Sequence, residues 1–120
     1  IASGYSSKPR DLAKLITAGM DHPGFALVHI QSPCTVYNDT YEILKGNPKK
    51  GIEPLIYEVP EDHDPADTIA AYKLIHSPGI PVGVIYQDTS RPSLDQLLGE
   101  MQQKVKVKSV EELMETYRLT

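Results

Sequence analysis

The residue with the most distinctive chemistry in this chain is Cys34, the only cysteine among 120 residues. It stands in the segment Ser-Pro-Cys-Thr-Val-Tyr-Asn, residues 32–38, directly after the apolar run 25–30, which is typical of a buried strand. The thiol is therefore expected at the carboxyl end of that strand, which is the edge where ligands bind in open α/β sheets. A lone cysteine can neither form an internal disulfide nor complete a structural metal site of about four ligands. Cys34 is therefore either a small buried hydrophobic residue or one ligand of a set whose other members lie outside this chain.

Two histidines, His29 and His63, and the run of potential metal ligands at 61–64 do not by themselves indicate an active site. A nucleophilic cysteine needs a neighbouring base such as His29 or His63, and the local sequence pairs Cys34 with neither. The run Glu-Asp-His-Asp at 61–64 carries potential metal ligands, but adjacent side chains converge on one point only in a tight loop. Helix capping by Asp64 is sufficient to explain that run. From residue types alone, a buried inert thiol is the default interpretation of Cys34.

The composition sets limits on the class of protein. Hydrophobic residues make up 40% of the chain and charged residues 23%, which is ordinary for a soluble globular protein. The net charge of −4 argues against a general nucleic-acid binder or a protein of anionic membrane surfaces. No run approaches the roughly 18 apolar residues of a membrane span, and no secretion signal is recognisable. A single cysteine fits a cytoplasmic location. The chain opens on Ile1 rather than Met, which suggests the middle of a longer protein.

Apolar periodicity and capping residues predict the elements that must position Cys34. The pattern indicates helix 9–20, strands 25–30, 55–59 and 80–86, and a helix from about 64 to 76. Asp64 suits the N-cap of that helix, with Pro65 in its first turn. Two capping boxes, Ser93 with Gln96 and Ser109 with Glu112, open two further helices. In the last of them, Val110, Leu113, Met114 and Tyr117 are expected to face inward.

These elements predict an α/β fold, a partial and mostly parallel sheet flanked by helices. Three strands make a thin sheet, which we expect to continue in residues outside this chain. The whole of 1–120 is predicted to form a single α/β segment, the C-terminal portion of a longer subunit, with 99–120 as a tail whose role the sequence does not define. Residues 39–54 are predicted to be an exposed functional loop beside Cys34. Lys45, Lys49 and Lys50 of that loop could receive a carboxylate substrate or the phosphates of coenzyme A.

An ordered succession of motifs resembles a known family. The segments are Gly-Tyr-Ser-Ser at 4–7, His-Pro-Gly-Phe-Ala-Leu-Val at 22–28, Ser-Pro-Cys-Thr-Val-Tyr-Asn at 32–38, Glu-Asp-His-Asp-Pro-Ala-Asp at 61–67 and Ile-Pro-Val-Gly-Val-Ile-Tyr at 80–86. Together they resemble the C-terminal part of the thiamine-diphosphate-binding β subunit of 2-oxoacid:ferredoxin oxidoreductases, with the 2-oxoglutarate-type branch most similar. The resemblance covers most of residues 1–98.

The resemblance implies a fragment of a thiamine-diphosphate-binding fold, in an enzyme that decarboxylates a 2-oxoacid oxidatively to an acyl-CoA. The electrons pass through a 4Fe-4S cluster to ferredoxin. The cofactors implied for the full-length enzyme are thiamine diphosphate, Mg²⁺ and that cluster, and the partners are an α subunit, ferredoxin, the 2-oxoacid and coenzyme A. Cys34 matches the fourth cluster ligand of the family. Because the upstream cysteines and the Gly-Asp-Gly segment that binds the diphosphate are absent, the fragment itself is expected to bind neither cofactor and to be inactive.

Two details leave alternatives open. Many relatives place Thr before the aromatic–Asn pair, where this chain has Val36, so no hydroxyl contact is expected there. Asn38 keeps its place and is a candidate for the substrate pocket. The alternative function is a stand-alone α/β interaction module with a structural cysteine, which would hold a partner through loop 39–54 or the final helix.

Overall fold

The structure is a computed structural model, and it describes residues 1–106 and 108–118. Its centre is a sheet of four strands: β1 (Ala2–Tyr5), β2 (Val28–Gln31), β3 (Ile56–Glu58) and β4 (Ile80–Val84). The strand order is β2-β1-β4-β3. β1 pairs with β2 and β3 with β4 in parallel, whereas β1 and β4 are antiparallel. The fold is therefore α/β with a mostly parallel mixed sheet, as predicted.

In the described residues, five α-helices accompany the sheet: α1 (Pro9–Asp21), α2 (Tyr41–Lys45), α3 (Thr68–Ile75), α4 (Leu94–Lys104) and α5 (Val110–Thr116). A 3-10 turn lies at Pro48–Lys50. α1 packs on β1 and β2, and α3 packs on β4. The predicted first helix and both capping boxes are confirmed.

The strand that the sequence did not predict is β1, which lies between β2 and β4. Its residues are small or polar rather than branched and apolar, because α1 crosses it closely. A Cβ on Gly4 would lie 2.7 Å from Leu12 Cδ1, so only a residue without a side chain leaves room for that helix. The expectation of three strands was wrong because β1 lacks the apolar pattern on which it depended. Close packing of α1 on β1 favours small residues in this central strand.

The strand predicted at 25–30 is present but shifted toward its C-terminal end. It begins at Val28, and Phe25 is 84% exposed. β2 pairs only along the four residues of β1, so the regular ladder cannot extend further back. Residues 25–27 therefore lie before the strand rather than within it.

The start of α3 also differs from the prediction. Asp67, not Asp64, is the N-cap: its Oδ1 accepts from the amides of Ile69 at 2.7 Å and Ala70 at 3.2 Å. Asp64 closes a local turn by accepting from the amide of Ala66 at 2.9 Å. The carbonyl of Pro65 accepts from the amide of Gln87 at 2.8 Å, which ties this turn to the segment after β4. That tertiary bond delays the helix by one turn.

Residues 39–54 are more ordered than an exposed loop. They contain α2 and the 3-10 turn, and Leu44 of α2 is buried against Tyr5 and Val82. A second cluster joins Ala71 and Leu74 of α3 with Ile85. Among the described residues, these two small clusters and Ala2 of β1 make up the buried hydrophobic core.

Beyond the sheet, α4 and α5 contain no buried residue. The inward orientation predicted for the last helix was wrong, because its four apolar side chains, Val110, Leu113, Met114 and Tyr117, are between 50% and 78% exposed. The radius of gyration is 22.6 Å, against about 14 Å for a compact domain of this length. Within residues 1–106 and 108–118, no helix combines the length and apolarity that crossing a membrane requires.

Candidate functional site

Cys34 lies three residues beyond the end of β2, at the carboxyl edge of that strand. The turn that carries it is closed by the backbone: the amide of Asn38 donates to the carbonyl of Cys34 at 3.0 Å, and that of Thr40 donates to the carbonyl of Asn38 at 3.0 Å. Asp39 Oδ1 then accepts from the amide of Tyr41 at 3.0 Å, where α2 begins. The position expected from the sequence is confirmed, and the turn is held between a strand and a helix.

The thiol of Cys34 is exposed, so it is not the small buried hydrophobe that residue type alone favoured. The backbone amides of Tyr37 and Val36 hydrogen bond to the thiolate and lower the pKa of Cys34 from its ordinary value of 9.0. Desolvation and the nearby carboxylate of Asp39 raise it by less. The thiolate is the form that acts as a nucleophile and as a metal ligand. The turn therefore shifts the thiol of Cys34 toward the form that metal ligation requires.

The histidines considered as bases are engaged elsewhere. His63 Nε2 lies 2.8 Å from the carbonyl oxygen of Ile85, and His29 Nδ1 lies 3.5 Å from Gln31 Nε2. In the part of the chain that the structure describes, no hydrogen bond joins either imidazole to Cys34. A cysteine nucleophile activated by a neighbouring histidine thus has no support in the geometry.

A metal centre made by this chain alone is not supported either. Among residues 1–106 and 108–118, no three side chains of His, Cys, Asp or Glu are grouped to hold an ion. The run at 61–64 has a structural role, although not the helix cap that was predicted: Asp64 closes a turn, and His63 is half-buried. Cys34 fits a cluster as one corner, with the other ligands supplied by a different polypeptide segment.

Asn38 lies in the same turn as Cys34, and the two residues form an isolated antiparallel bridge. Its side chain is exposed, and within the described residues its side-chain amide makes no hydrogen bond. Beside it, Tyr37 is 93% exposed. Asn38 is thus free to contact a ligand, and the sequence-based hypothesis for it stays a prediction.

The lysines of 39–54 differ from one another. Lys50 Nζ donates to Glu42 at 2.8 Å, so its charge is paired, and Lys45 Nζ lies 5.7 Å above the Tyr41 ring. Lys49 is exposed. Lys45 and Lys49 therefore remain the candidates in this loop for binding an anionic group.

The feature that sequence reasoning missed is the set of backbone amides, chiefly those of Tyr37 and Val36, that lower the pKa of Cys34. Every residue except proline has an amide, so Val36 and Tyr37 give no compositional signal of this role. The nearest signal is Pro33 before Cys34, which favours a turn at the end of a strand.

Comparison with known proteins places these features in a family. The family model that describes the C-terminal region of the pyruvate ferredoxin oxidoreductase β chain matches residues 34–103. The β subunit of 2-oxoacid:ferredoxin oxidoreductase 2 of Aeropyrum pernix is 33% identical over 105 residues, which are 82% of this chain and 34% of that protein. A Sulfolobus 2-oxoacid:ferredoxin oxidoreductase β subunit is 27% identical over 103 residues, 80% of this chain and 34% of that protein.

A solved structure has a similar backbone. It is the 2-oxoglutarate:ferredoxin oxidoreductase from Magnetococcus marinus, determined with 2-oxoglutarate, coenzyme A and succinyl-CoA bound. The TM-score is 0.80 at 33% identity, and the match covers 98% of this chain and 40% of that one. The chain thus spans about a third of the length of the curated relatives it matches.

Proposed function

The chain belongs to the family of C-terminal regions of pyruvate ferredoxin oxidoreductase β subunits, and from this membership we propose that it serves a 2-oxoacid:ferredoxin oxidoreductase. The proposed reaction is oxidative decarboxylation of a 2-oxoacid, with the acyl group transferred to coenzyme A and the electrons to ferredoxin. The observation that carries the proposal is the 0.80 TM-score at 33% identity over 98% of the chain with a 2-oxoglutarate:ferredoxin oxidoreductase.

The role proposed for Cys34 is that of one thiolate ligand of a 4Fe-4S cluster, as the fourth ligand. Its exposure, its position at the carboxyl edge of β2 and its lowered pKa all favour ligation by sulfur. The remaining ligands would come from other parts of the full-length subunit. By itself this chain is expected to bind no cluster and to be inactive.

Thiamine diphosphate with Mg²⁺ is the other proposed cofactor of the full-length enzyme, and when bound it supplies the electron sink for decarboxylation. The described residues contain no group of acidic side chains suited to Mg²⁺, so that site is assigned to other segments. Asn38, exposed beside Cys34, is proposed to face the substrate pocket.

The proposed partners are an α subunit and ferredoxin, with a 2-oxoacid and coenzyme A as substrates, and neither nucleic acid nor membrane. The net charge of −4 supports the exclusion of nucleic acid. The cytoplasm is the proposed compartment, because its reducing environment keeps a cysteine available as a thiol for cluster ligation. The domain organisation proposed is one α/β segment over 1–120, with 99–120 as a tail.

The test is made on the native polypeptide that contains this chain, purified without oxygen together with any partner that co-purifies. Iron content and the electron paramagnetic resonance of the reduced protein are compared between the wild type and Cys34→Ala. About four irons per polypeptide are expected for the wild type, with loss of the cluster signal in the variant. Ser32→Ala, an exposed position in the same turn, is the matched control and should keep both iron and signal.

The activity assay follows reduction of ferredoxin with a 2-oxoacid and coenzyme A. Coenzyme-A-dependent reduction by the wild type and the Ser32→Ala variant, with loss in Cys34→Ala, is the expected pattern. If Cys34→Ala kept its full iron content and spectrum, the ligand assignment would be wrong. If the wild-type protein reduced no acceptor with any 2-oxoacid, the proposed reaction would fall.

A further inference from the structure

The turn that carries Cys34 ends in a carboxylate, that of Asp39, to which the proposed function assigns no role. Cys34 and Asn38 form an antiparallel bridge, and the Cα atoms of such a pair lie about 4.5–5.5 Å apart. Asp39 follows Asn38 directly, and consecutive Cα atoms are about 3.8 Å apart. The Cα atoms of Asp39 and Cys34 are therefore within about 10 Å of each other. The closed turn itself sets this proximity, whichever segments surround it in the full-length subunit.

Hydrogen bonds hold the Asp39 carboxylate in a defined place. Its Oδ1 accepts from the amide of Tyr41 at 3.0 Å, which fixes the side chain at the start of α2. The amide of Asn38 donates to the carbonyl of Cys34 at 3.0 Å, which closes the turn. Leu44 of α2 is buried, so the helix at which the carboxylate is fixed is itself packed on the core. The negative charge therefore stays beside Cys34.

The charge of Asp39 is not paired with a cation in the part of the chain that the structure describes, where no salt bridge includes it. Glu42 in α2 differs: Lys50 Nζ donates to its Oε1 and Oε2, each at 2.8 Å, and Asn47 Nδ2 donates to Oε1 at 3.1 Å. The field of Asp39 reaches the sulfur, because its carboxylate raises the pKa of Cys34 against the stronger lowering by the backbone amides. Of these two carboxylates, Asp39 is the one that acts on Cys34 uncompensated.

An uncompensated charge at this distance bears on the reduction potential of a cluster ligated by Cys34. Such potentials depend on the net charge and on hydrogen bonds to the sulfurs. Adding one electron adds one negative charge, which a nearby carboxylate disfavours and amide donors favour. On the premise that Cys34 is a cluster ligand, as proposed above, we propose that Asp39 lowers the reduction potential of that cluster. A lower potential favours onward transfer of the electron to ferredoxin.

The test is a redox titration of the native polypeptide that contains this chain, purified without oxygen and followed by electron paramagnetic resonance. Asp39→Asn and Asp39→Ser both remove the charge and keep an oxygen that can accept from the Tyr41 amide. Each should shift the equilibrium toward the reduced cluster by roughly three- to tenfold, where tenfold corresponds to about 59 mV for one electron. The midpoint potential should therefore rise, with the iron content unchanged.

Two control variants remove the same charge elsewhere. Glu42→Gln acts on the carboxylate that Lys50 compensates, and Glu100→Gln acts on an exposed residue of α4 that makes no salt bridge in the described chain. Both should move the midpoint less than Asp39→Asn does. Asp39→Glu keeps the charge and should keep the midpoint near that of the wild type. These comparisons separate the charge of Asp39 from the net charge of the protein.

Three results would overturn the inference alone. The midpoint could stay the same in both neutral variants with full iron content, or either control could shift it as far as Asp39→Asn does. Loss of iron in both neutral variants would show that Asp39 supports the turn rather than the potential. A wild type without a cluster, or a cluster retained in Cys34→Ala, would instead overturn the ligand role of Cys34 and this inference with it.

Discussion

The turn at Cys34 and the C-terminal arm, which comprises residues 94–106 and 108–117, are both exposed, but their conformations are fixed by different means. The turn is tied at both ends, to β2 on one side and to α2 on the other, and its backbone amides make internal hydrogen bonds. The arm has complete helix caps but no buried side chain. Local signals alone specify the conformation of the arm, whereas the turn lies between two elements with tertiary contacts: β2 pairs with β1, and Leu44 of α2 is buried.

The largest expected difference between these regions is in the cost of truncating a leucine. Leu74 is buried with Ala71 and Ile85 under α3, whereas Leu98 in the arm is 44% exposed. Leu74→Ala should lower the free energy of unfolding by about 2–4 kcal/mol, because it leaves a cavity. Leu98→Ala should change it by less than about 0.5 kcal/mol, because the side chain is exposed. Urea denaturation of both variants measures the contrast, and equal losses would place the arm within the cooperative core.

A smaller effect is expected from removing helix caps in the two regions. Asp67→Ala should cost about 1 kcal/mol of unfolding free energy, because two amides at the start of α3 lose their acceptor. Ser109→Ala should reduce the helical circular dichroism of the arm and leave the unfolding of the sheet unchanged.

Asp64→Ala is the matched control for Asp67→Ala, since within the described residues the Asp64 carboxylate accepts one hydrogen bond, from the amide of Ala66. Its loss should cost less than that of Asp67. If Asp64→Ala proved the more destabilising of the two, α3 would begin one turn earlier, as the sequence pattern suggested.

The sequence predicted what depends on local chemistry. Helix periodicity gave α1, and the Ser-x-x-Gln and Ser-x-x-Glu spacings gave the two caps of the arm. The position of Cys34 after a strand followed from the apolar run before it. These features need no knowledge of distant contacts, because the residues that decide them are a few positions apart.

What the sequence could not give depends on packing between distant segments. β1 is a strand because β2 and β4 flank it, and Gly4 is small because Leu12 lies above it. Asp67 rather than Asp64 caps α3 because Pro65 is bonded to Gln87. The lowered pKa of Cys34 has a local cause instead, but that cause is backbone amides, which have no side-chain signature.

The smallest expected effect concerns the acidity of Cys34 and tests whether the turn is fixed in solution. Because the amides of Tyr37 and Val36 lower the pKa of Cys34 in the folded chain, the pH midpoint of its alkylation should lie below 9.0. Unfolding in urea removes those amides from the sulfur, so the midpoint should rise. The sign for stability follows: the thiolate favours the folded state above the unfolded pKa, and this contribution is lost as pH falls through the folded pKa.

Asp39 provides the internal control for that measurement. Its carboxylate raises the pKa of Cys34, whereas its Oδ1 also accepts from the amide of Tyr41. Asp39→Asn keeps an oxygen for the Tyr41 amide but removes the charge, so the midpoint of alkylation should fall further, and added salt should shrink the difference. A midpoint that is the same in the folded wild type, the variant and the urea-unfolded chain would mean that the turn is as loosely held as an isolated peptide. The contrast between a turn with a fixed conformation and an arm without buried side chains would then disappear.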